Sequence, residues 1–324
     1  PAIILQKASG IPEEYFKNEK GKFSLNDFVM KKLKTNFSDN DYIKVIVDLK
    51  KYDNLVSNAK QLKDLMISDK VKPIEDNPDL VWIKPTFRLG ETFRIVSTNP
   101  NLQGLTGIWK IFIEAPKGYK IINIDIGQQE PHILIWGLTQ DERLKELSII
   151  MGDNYSAFVK RLGFDMKPEF RDMLKVSILS FMNGMAKQTL EVQLNDSEIV
   201  DSMFSLFEED PKFKSMISKS RSIAKTANPY TKGLFGTTRH LDTYETVRGE
   251  YKKVHANTLY RKILNGNFQI TAAEIIAMSF NHFMTYCYKQ VPDRFFGMRP
   301  LVPKYDEIIC LVKDDYIDTA GKAV

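Results

Sequence analysis

The chain has 324 residues, 43% of them hydrophobic, with a formal net charge of +5 and a sequence pI near 8.9. That length can bury a sizeable core spread over two or three subdomains, and the positive balance favours a polyanionic partner. No apolar run reaches the ~18 residues of a membrane span and the N-terminus does not read as a signal peptide. Cys287 and Cys310 make neither a metal spacing nor a disulfide framework, so a soluble protein of a reducing, intracellular compartment is expected.

From the N-terminus to about Lys72 the chain reads as polar, mostly helical segments. Ser24-Leu25-Asn26-Asp27 can cap a helix running through about Leu33. A second helical pattern extends from Asp39 to about Met66, with Ile43, Val45, Ile46, Leu49, Leu55, Leu62 and Leu65 as its apolar positions. Lys50, Lys51, Lys60 and Lys63 decorate it, either as solvated surface or as a grip on a polyanion. A Pro/Asp-rich linker, 73–78, leads to β-like segments at 80–88 and 92–96. The stretch Arg94 to Gln103 contains the turn signal Asn99-Pro100-Asn101 and is dense in amides and hydroxyls, which suits either a structured loop or contacts to a nucleic-acid backbone.

Ile121, Ile122, Ile124 and Ile126 are β-branched and predict a buried strand that ends at Asp125. A carboxylate there is either an ordinary strand-end acid or a metal ligand, and the second role needs another acidic cluster on a neighbouring strand. Tyr305-Asp306-Glu307 supplies one: it lies between Leu301-Val302 and the apolar run 308–312, as the turn of a β-hairpin. Two strands each presenting an aspartate could hold a pair of Mg²⁺ ions.

Thr139 to Leu162 reads as one helix, with Thr139 as N-cap and Glu142 at the capping-box position. Pro168-Glu169 opens another, on which Arg171, Lys175, Leu179 and Asn183 share a face and Gly184 marks the end. Cations on one stripe near a helix N-terminus either form a solvated face or grip a triphosphate. From Pro211 to Arg239 there is no acidic residue, while Lys212, Lys214, Lys219, Arg221, Lys225, Lys232 and Arg239 are basic, with Phe213, Tyr230 and Phe235 interleaved. That is a cationic strip with candidate stacking platforms. Farther on, Arg261, Asn265 and Gln269 form an amide-bearing stripe beside Thr271-Ala272-Ala273-Glu274, suited to a duplex minor groove or to a buried polar network.

In this order the segments resemble a family A DNA polymerase, the bacterial polymerase I type, from roughly Lys22 to Val312. Arg94 to Gln103 is similar to the arginine-led "SSxxPNLQ" segment, and Asp125-Ile126-Gly127-Gln128-Gln129-Glu130 to motif A, D-Y-S-Q-I-E. Arg171 and Lys175 with Gly184 resemble motif B. Leu234-Phe235-Gly236-Thr237-Thr238-Arg239 resembles "LFGRRR", Gln269-Ile270-Thr271-Ala272-Ala273-Glu274 resembles "QGTAAD", and Tyr305-Asp306-Glu307 resembles motif C, H-D-E.

The resemblance implies an α+β right-hand fold: a partial, shortened helical thumb at 1–80, palm at 81–138, helical fingers at 139–257, and the rest of an antiparallel palm sheet, truncated, at 258–324. It implies template-directed addition of deoxynucleoside triphosphates to a primed DNA template with two Mg²⁺ ions, Mn²⁺ being a possible substitute. Asp125 and Asp306 are the implied metal ligands, with Glu307 supporting them. Arg171 and Lys175 hold the triphosphate, Lys175 also as a proton donor to the pyrophosphate. Glu130 is the implied gate against a 2′-hydroxyl, and Gln128, Leu179 and Asn183 complete the nucleotide surface. Arg94, Asn101, Gln103, Arg239, Arg261, Asn265 and Gln269 are the implied DNA contacts.

Departures from the pattern bear on fidelity, sugar discrimination and speed. Ile126-Gly127 stand for motif A's tyrosine and serine, and Pro131-His132 for its leucine-arginine pair. Leu179 and Asn183 replace motif B aromatics, and Tyr305 replaces the motif C histidine. A single-subunit RNA polymerase relative and a non-catalytic DNA-binding derivative are the competing expectations. Residues 1–72 are too short and lysine-rich for an exonuclease site, so no proofreading is expected. The few residues after the second hairpin strand lead to the expectation of a fragment or split enzyme, completed by a second polypeptide or by further residues of the same chain. The expected location is the cytoplasm of a bacterial or phage-infected cell, or an organelle, without membrane attachment.

Overall fold

The computed structural model describes residues 2–322 apart from 19–20, 26, 67–70, 75–76, 84, 99–100, 105–113, 195, 248, 291–296 and 305. The chain divides into two compact units, Pro1–Lys84 with Leu105–Phe112, and Pro85–Gly104 with Ile113–Val324.

In the first unit, helices α1 (Ala2–Ser9), α2 (Asp27–Asn36) and α3 (Asp41–Met66) enclose a small core of Phe16, Val29, Leu33 and Ile43. Asn40 starts α3: its Oδ1 accepts from the backbone N–H of Tyr42 and of Ile43, and its amide donates to Ser9 O. Ile43 is 1% exposed, but Val45 and Leu49, also among the apolar positions of this helix, are 59% and 52% exposed. The reason is geometric. A helix packed on one side buries a single stripe, and Tyr42, Val45, Leu49, Tyr52 and Val56 lie on another. The side chains of Leu62 and Leu65, like the cap residue Asn26, lie outside the described set. The expected linker at 73–78 is instead part of an antiparallel hairpin, β1 (Val71–Ile74) and β2 (Asn77–Ile83), with Val71 opposite Ile83.

Among the described residues the second unit holds two larger cores and a small third cluster around Leu241, Val254 and Ile263. Its sheet runs β10 (Met298–Lys304), β11 (Glu307–Lys313), β5 (Tyr119–Asp125), all antiparallel. Central β11 is almost continuously apolar, as a strand covered on both faces requires. Pro300 and Pro303, which cannot donate to a ladder, sit on edge strand β10. Ile308, Cys310 and Val312 of β11 pack against Ile276, Phe283, Met284 and Cys287 of the long helix α11 (Ala256–Gln290) and against Ala320 of α12 (Ile317–Gly321). β3 (Thr86–Leu89) and β4 (Ile95–Thr98) form a separate hairpin, so the strand expected at 92–96 begins later, after a turn in which Phe93 takes a φ of 60°.

The larger core is helical, built from α4 (Gln129–His132) and the π-helical turn Ile133–Leu138, then α5 (Glu142–Met151), α6 (Asn154–Leu162), α7 (Pro168–Met182), α8 (Lys187–Leu194), α9 (Ser197–Glu209) and α10 (Pro211–Ile223). Phe181 stacks on Phe207 at 4.8 Å and on Phe213 at 5.3 Å, with Phe204 edge-on at 4.9 Å. Each such ring buries about 1.5–3 kcal/mol of transfer free energy, and the aromatic geometry adds to it. Phe213 is thereby a core residue, 1% exposed, and not the stacking platform expected from its cationic neighbours. The single helix expected from Thr139 to Leu162 is two. Thr139 donates its hydroxyl to Ile135 O, closing the π turn, and Asp141 is the cap, accepting from Leu144 N. Gly152, at φ 60°, ends α5, and Asp153 caps α6 by accepting from Ser156 N.

Candidate active site

Asp125 is the last residue of β5 and lies directly across the ladder from Glu307, the first of β11. Ile126 N donates to Asp306 O at 3.0 Å, so the turn carrying Asp306 is laced to the residue after Asp125. The acidic clusters predicted from sequence therefore meet at one end of the sheet. Cross-strand partners on an antiparallel ladder have Cβ atoms about 5 Å apart, which concentrates negative charge there. Among the described residues no group of three or more His, Cys, Asp or Glu could hold a metal. Mg²⁺, however, takes one or two protein carboxylates and fills its octahedron with waters and substrate phosphates. A two-aspartate donor set fits that chemistry. Tyr305 lies outside the described residues.

Beyond Asp125 the chain turns sharply into α4 through Gln128, which takes a left-handed φ of 55°. Its side-chain amide holds it there: Nε2 donates to Asp153 Oδ1 at 2.6 Å and Oε1 accepts from Asn154 N at 2.9 Å. Gln129 is buried, donating to Ala272 O on α11 at 3.0 Å. Glu130 pairs with Arg94 at 3.0 Å, both side chains about three-quarters or more buried. A cleft of about 470 Å³ opens between these elements, lined by Arg94, Gln128, Gln129, Glu130, Pro131, Tyr155, Lys175, Leu179 and Asp306.

Pro168 opens α7 at its first position and Gly184, at φ 73°, follows its end, as the sequence predicts. Lys175 and Leu179 reach the cleft. Arg171 does not line it, because Asp153 accepts from its Nε at 3.0 Å and its Nη2 at 2.8 Å. Burial pushes the Asp153 carboxyl up, but hydrogen bonds from Arg171, Ser156 and Gln128 outweigh it and hold the group well below the usual carboxylate range. The same bonds raise Arg171. A carboxyl depressed on folding stabilises the fold fully above its unfolded pKa, ~3.9, and loses that contribution as pH falls toward the folded value. Asp153→Asn keeps a capping oxygen and removes the charge. We expect it to lower stability by about 1 kcal/mol at pH 7, discounting for partial solvent screening. The gap from wild type should narrow below about pH 4. Melting temperatures measured from pH 8 to 3 check this, and a gap that stays constant to pH 3 contradicts it.

Tyr155 and Asp153 escape a reading for motifs. The available signal is the pair Gly152-Asp153, a helix stop followed by a cap, which reveals that a helix starts at the cleft. Tyr155 is 4% exposed, with Arg171 5.5 Å and Lys175 5.9 Å from its ring centre. Burial first, then the negative charge of Glu130, pushes its hydroxyl up to about 12. It is a neutral hydroxyl at neutral pH.

The other predicted residues are placed apart from the cleft lining. Asn183 accepts a short hydrogen bond from Asn265 of α11. A Cβ on Gly184 would lie 2.8 Å from Arg261 Cγ, so α7 can end against α11 only with glycine there. Gln269 is half-buried and Arg261 exposed on that helix. Asn101 is exposed, whereas Gln103 is buried, accepting from Ser97 N at 2.8 Å and donating to Ile95 O at 2.7 Å, so it holds the loop onto β4. Arg239 pairs with Glu91 at 3.1 Å. The small residues Thr271-Ala272-Ala273 are buried and do not offer a close approach to a duplex. Ala272 receives Gln129, while Thr271 Oγ1 accepts from Leu234 N and the Glu274 carboxylate accepts from the backbone N–H of Phe235 and of Thr237.

The family model described as DNA polymerase family A matches residues 2–324. The chain belongs to DNA polymerase family A. Its fold is that of a family A polymerase domain: it superposes on the POL domain of Pol1 from M. smegmatis, solved in complex with DNA primer-template and dNTP, with a TM-score of 0.74 at 20% identity. All of this family A chain is covered by that match, and it spans 56% of the M. smegmatis chain. No curated protein matches it at a significant level. Among its described residues no helix is long and apolar enough to cross a membrane.

Proposed function

We propose that the chain is a template-directed DNA polymerase module that adds deoxynucleotides to a primer 3′ end with two divalent ions, without an exonuclease site in these residues. The observation that supports this best is the cleft in which Asp306, Glu130, Arg94, Tyr155 and Lys175 converge beside the Asp125–Glu307 sheet end. When bound at Asp125 and Asp306, Mg²⁺ would supply Lewis-acid stabilisation of phosphoryl charge. The chain's own groups do the rest. Lys175 meets the triphosphate and can give a proton to the departing pyrophosphate. Tyr155, neutral and walled by Lys175 and Arg171, offers a hydroxyl and a ring edge to the same ligand. Glu130, held by Arg94, occupies the space a 2′-hydroxyl would need. Arg94, Asn101, Arg239, Arg261, Asn265 and Gln269 are proposed DNA contacts.

Primer extension with Mg²⁺ and separate deoxy- and ribonucleotide sets tests the function. Extension that favours deoxynucleotides is expected, and DNA binding without extension would favour a non-catalytic derivative. The same assay tests the gate. Glu130→Ala removes the side chain facing the sugar together with the ion pair it makes with Arg94, so ribonucleotide use is expected to rise about tenfold or more relative to deoxynucleotide use. If that ratio does not move, Glu130 is not what senses the sugar.

A further inference from the structure

The hairpin β8 (Tyr244–Val247) and β9 (Glu250–Lys253) lies outside the cleft lining. Its base is fixed: Val254 N donates to Thr243 O at 2.8 Å, and Leu241 and Val254 are buried against Ala224, Leu259 and Ile263. Beyond the base, Tyr244, Glu245, Thr246, Glu250, Tyr251, Lys252 and Lys253 are all exposed. Tyr251 is 74% exposed, an unusual position for a large aromatic on a two-stranded ribbon that is only marginally stable alone.

The register sorts the charges. Tyr244 faces Lys253, Glu245 faces Lys252, Thr246 faces Tyr251 and Val247 faces Glu250. Side chains alternate between the two faces of a strand, so Tyr244, Thr246, Tyr251 and Lys253 share one face. Glu245, Glu250 and Lys252 share the other, where Lys252 pairs with Glu250 at 2.6 Å. The first face carries an ammonium and no carboxylate. On it the two phenol rings lie parallel, 5° apart in plane, with centres separated by 5.1 Å. A cross-strand aromatic pair stabilises a ribbon by itself, which accounts for the ring contact. It does not account for both carboxylates being confined to the opposite face.

We infer that this face is a stacking platform for an unpaired nucleotide of single-stranded DNA, with a base continuing the Tyr244–Tyr251 stack and Lys253 meeting a phosphate. Aromatic stacking accepts any base because every base has a π-face, and a nearby cation supplies the backbone contact. The stretch 211–239, which precedes the hairpin in the chain, is acid-free and leaves Lys212, Lys214, Lys219, Arg221, Lys225 and Lys232 exposed. The inference rests on the proposed function only in taking DNA as the polymer bound.

The test compares a labelled blunt duplex with the same duplex bearing a 5′ extension of unpaired thymidines, by fluorescence anisotropy without nucleotides. Wild type is expected to bind the extended DNA more tightly. Tyr251→Leu, which keeps an apolar cross-strand contact but has no π-face, should lose about tenfold of that gain. Tyr251→Trp should keep the gain. Lys253→Glu leaves both rings in place and should also weaken binding of the extended DNA, which keeps the proposal falsifiable if Tyr251→Leu unravels the ribbon. Equal wild-type affinity for the two DNAs, or a gain that survives both Tyr251→Leu and Lys253→Glu, overturns the platform while leaving the polymerase proposal standing. Binding of neither DNA overturns both.

Discussion

Asp306→Asn and Asp125→Asn are each expected to cut primer extension by roughly a thousandfold or more while leaving primer–template affinity nearly unchanged. Asp125 ends β5 and Asp306 lies in the turn before β11, a turn tied to the residue after Asp125 by the hydrogen bond from Ile126 N to Asp306 O. Charge that develops on the transferring phosphoryl group is stabilised most by charged partners already held in place. Losing about 4 kcal/mol of that stabilisation corresponds to about three decades in rate. An amide keeps the size and shape of the side chain and removes the negative charge, so the sheet should stay intact. Single-turnover extension and equilibrium DNA binding, measured on the same samples, separate the two effects. Extension at wild-type rates by either variant would remove that aspartate from the proposed chemistry, and parallel loss of DNA affinity would point to a structural role.

Lys175→Ala is expected to have the next largest effect, a loss of roughly 10²–10⁴ in the rate of nucleotide addition if the ammonium donates a proton in the rate-limiting step. Lys175 is exposed on α7, faces the cleft and is 5.9 Å from the Tyr155 ring centre. Lys175→Arg discriminates between roles. Guanidinium keeps the positive charge for binding a triphosphate but does not give up a proton at accessible pH. Recovery of nucleotide affinity without recovery of rate is the expected result. Full recovery by arginine would make Lys175 a binding group only. Arg171→Ala should be the milder change in rate, because its guanidinium is already held by Asp153 and lies outside the cleft lining.

Which features the sequence carries follows from the range of the forces involved. The extent of β5, the hairpin that bears Asp306, the proline start of α7 and its glycine end were all legible, since each rests on neighbours within a few residues. The burial expected of β5 was not, because it is an edge strand whose isoleucines are only half-buried. The break at Gly152-Asp153 is equally local, a left-handed glycine that ends α5 followed at once by the aspartate that caps α6. Phe213 shows the limit of composition: cationic neighbours suggested a surface ring, yet the positions of Phe181 and Phe207 put it in the core.

The sequence by itself determined which residue types are available for phosphoryl chemistry, in what order, and on which elements. It determined that Asp125 ends a strand, that Asp306 lies in a hairpin turn, and that Lys175 and Leu179 share a helix face; that β5 and β11 adjoin was decided by the fold. Only the tertiary structure decided the partners. Glu130 meets Arg94 from 36 residues away, and Asp153 takes Arg171 from the helix after it. Asn183 is engaged by Asn265, and the Thr271–Glu274 stripe that sequence offered to a duplex holds Gln129 and the turn at 233–237 instead. Those pairings depend on which elements the fold brings side by side, α7 and α4 each lying against α11. A short polar side chain takes whichever donor or acceptor that packing brings within about 3 Å.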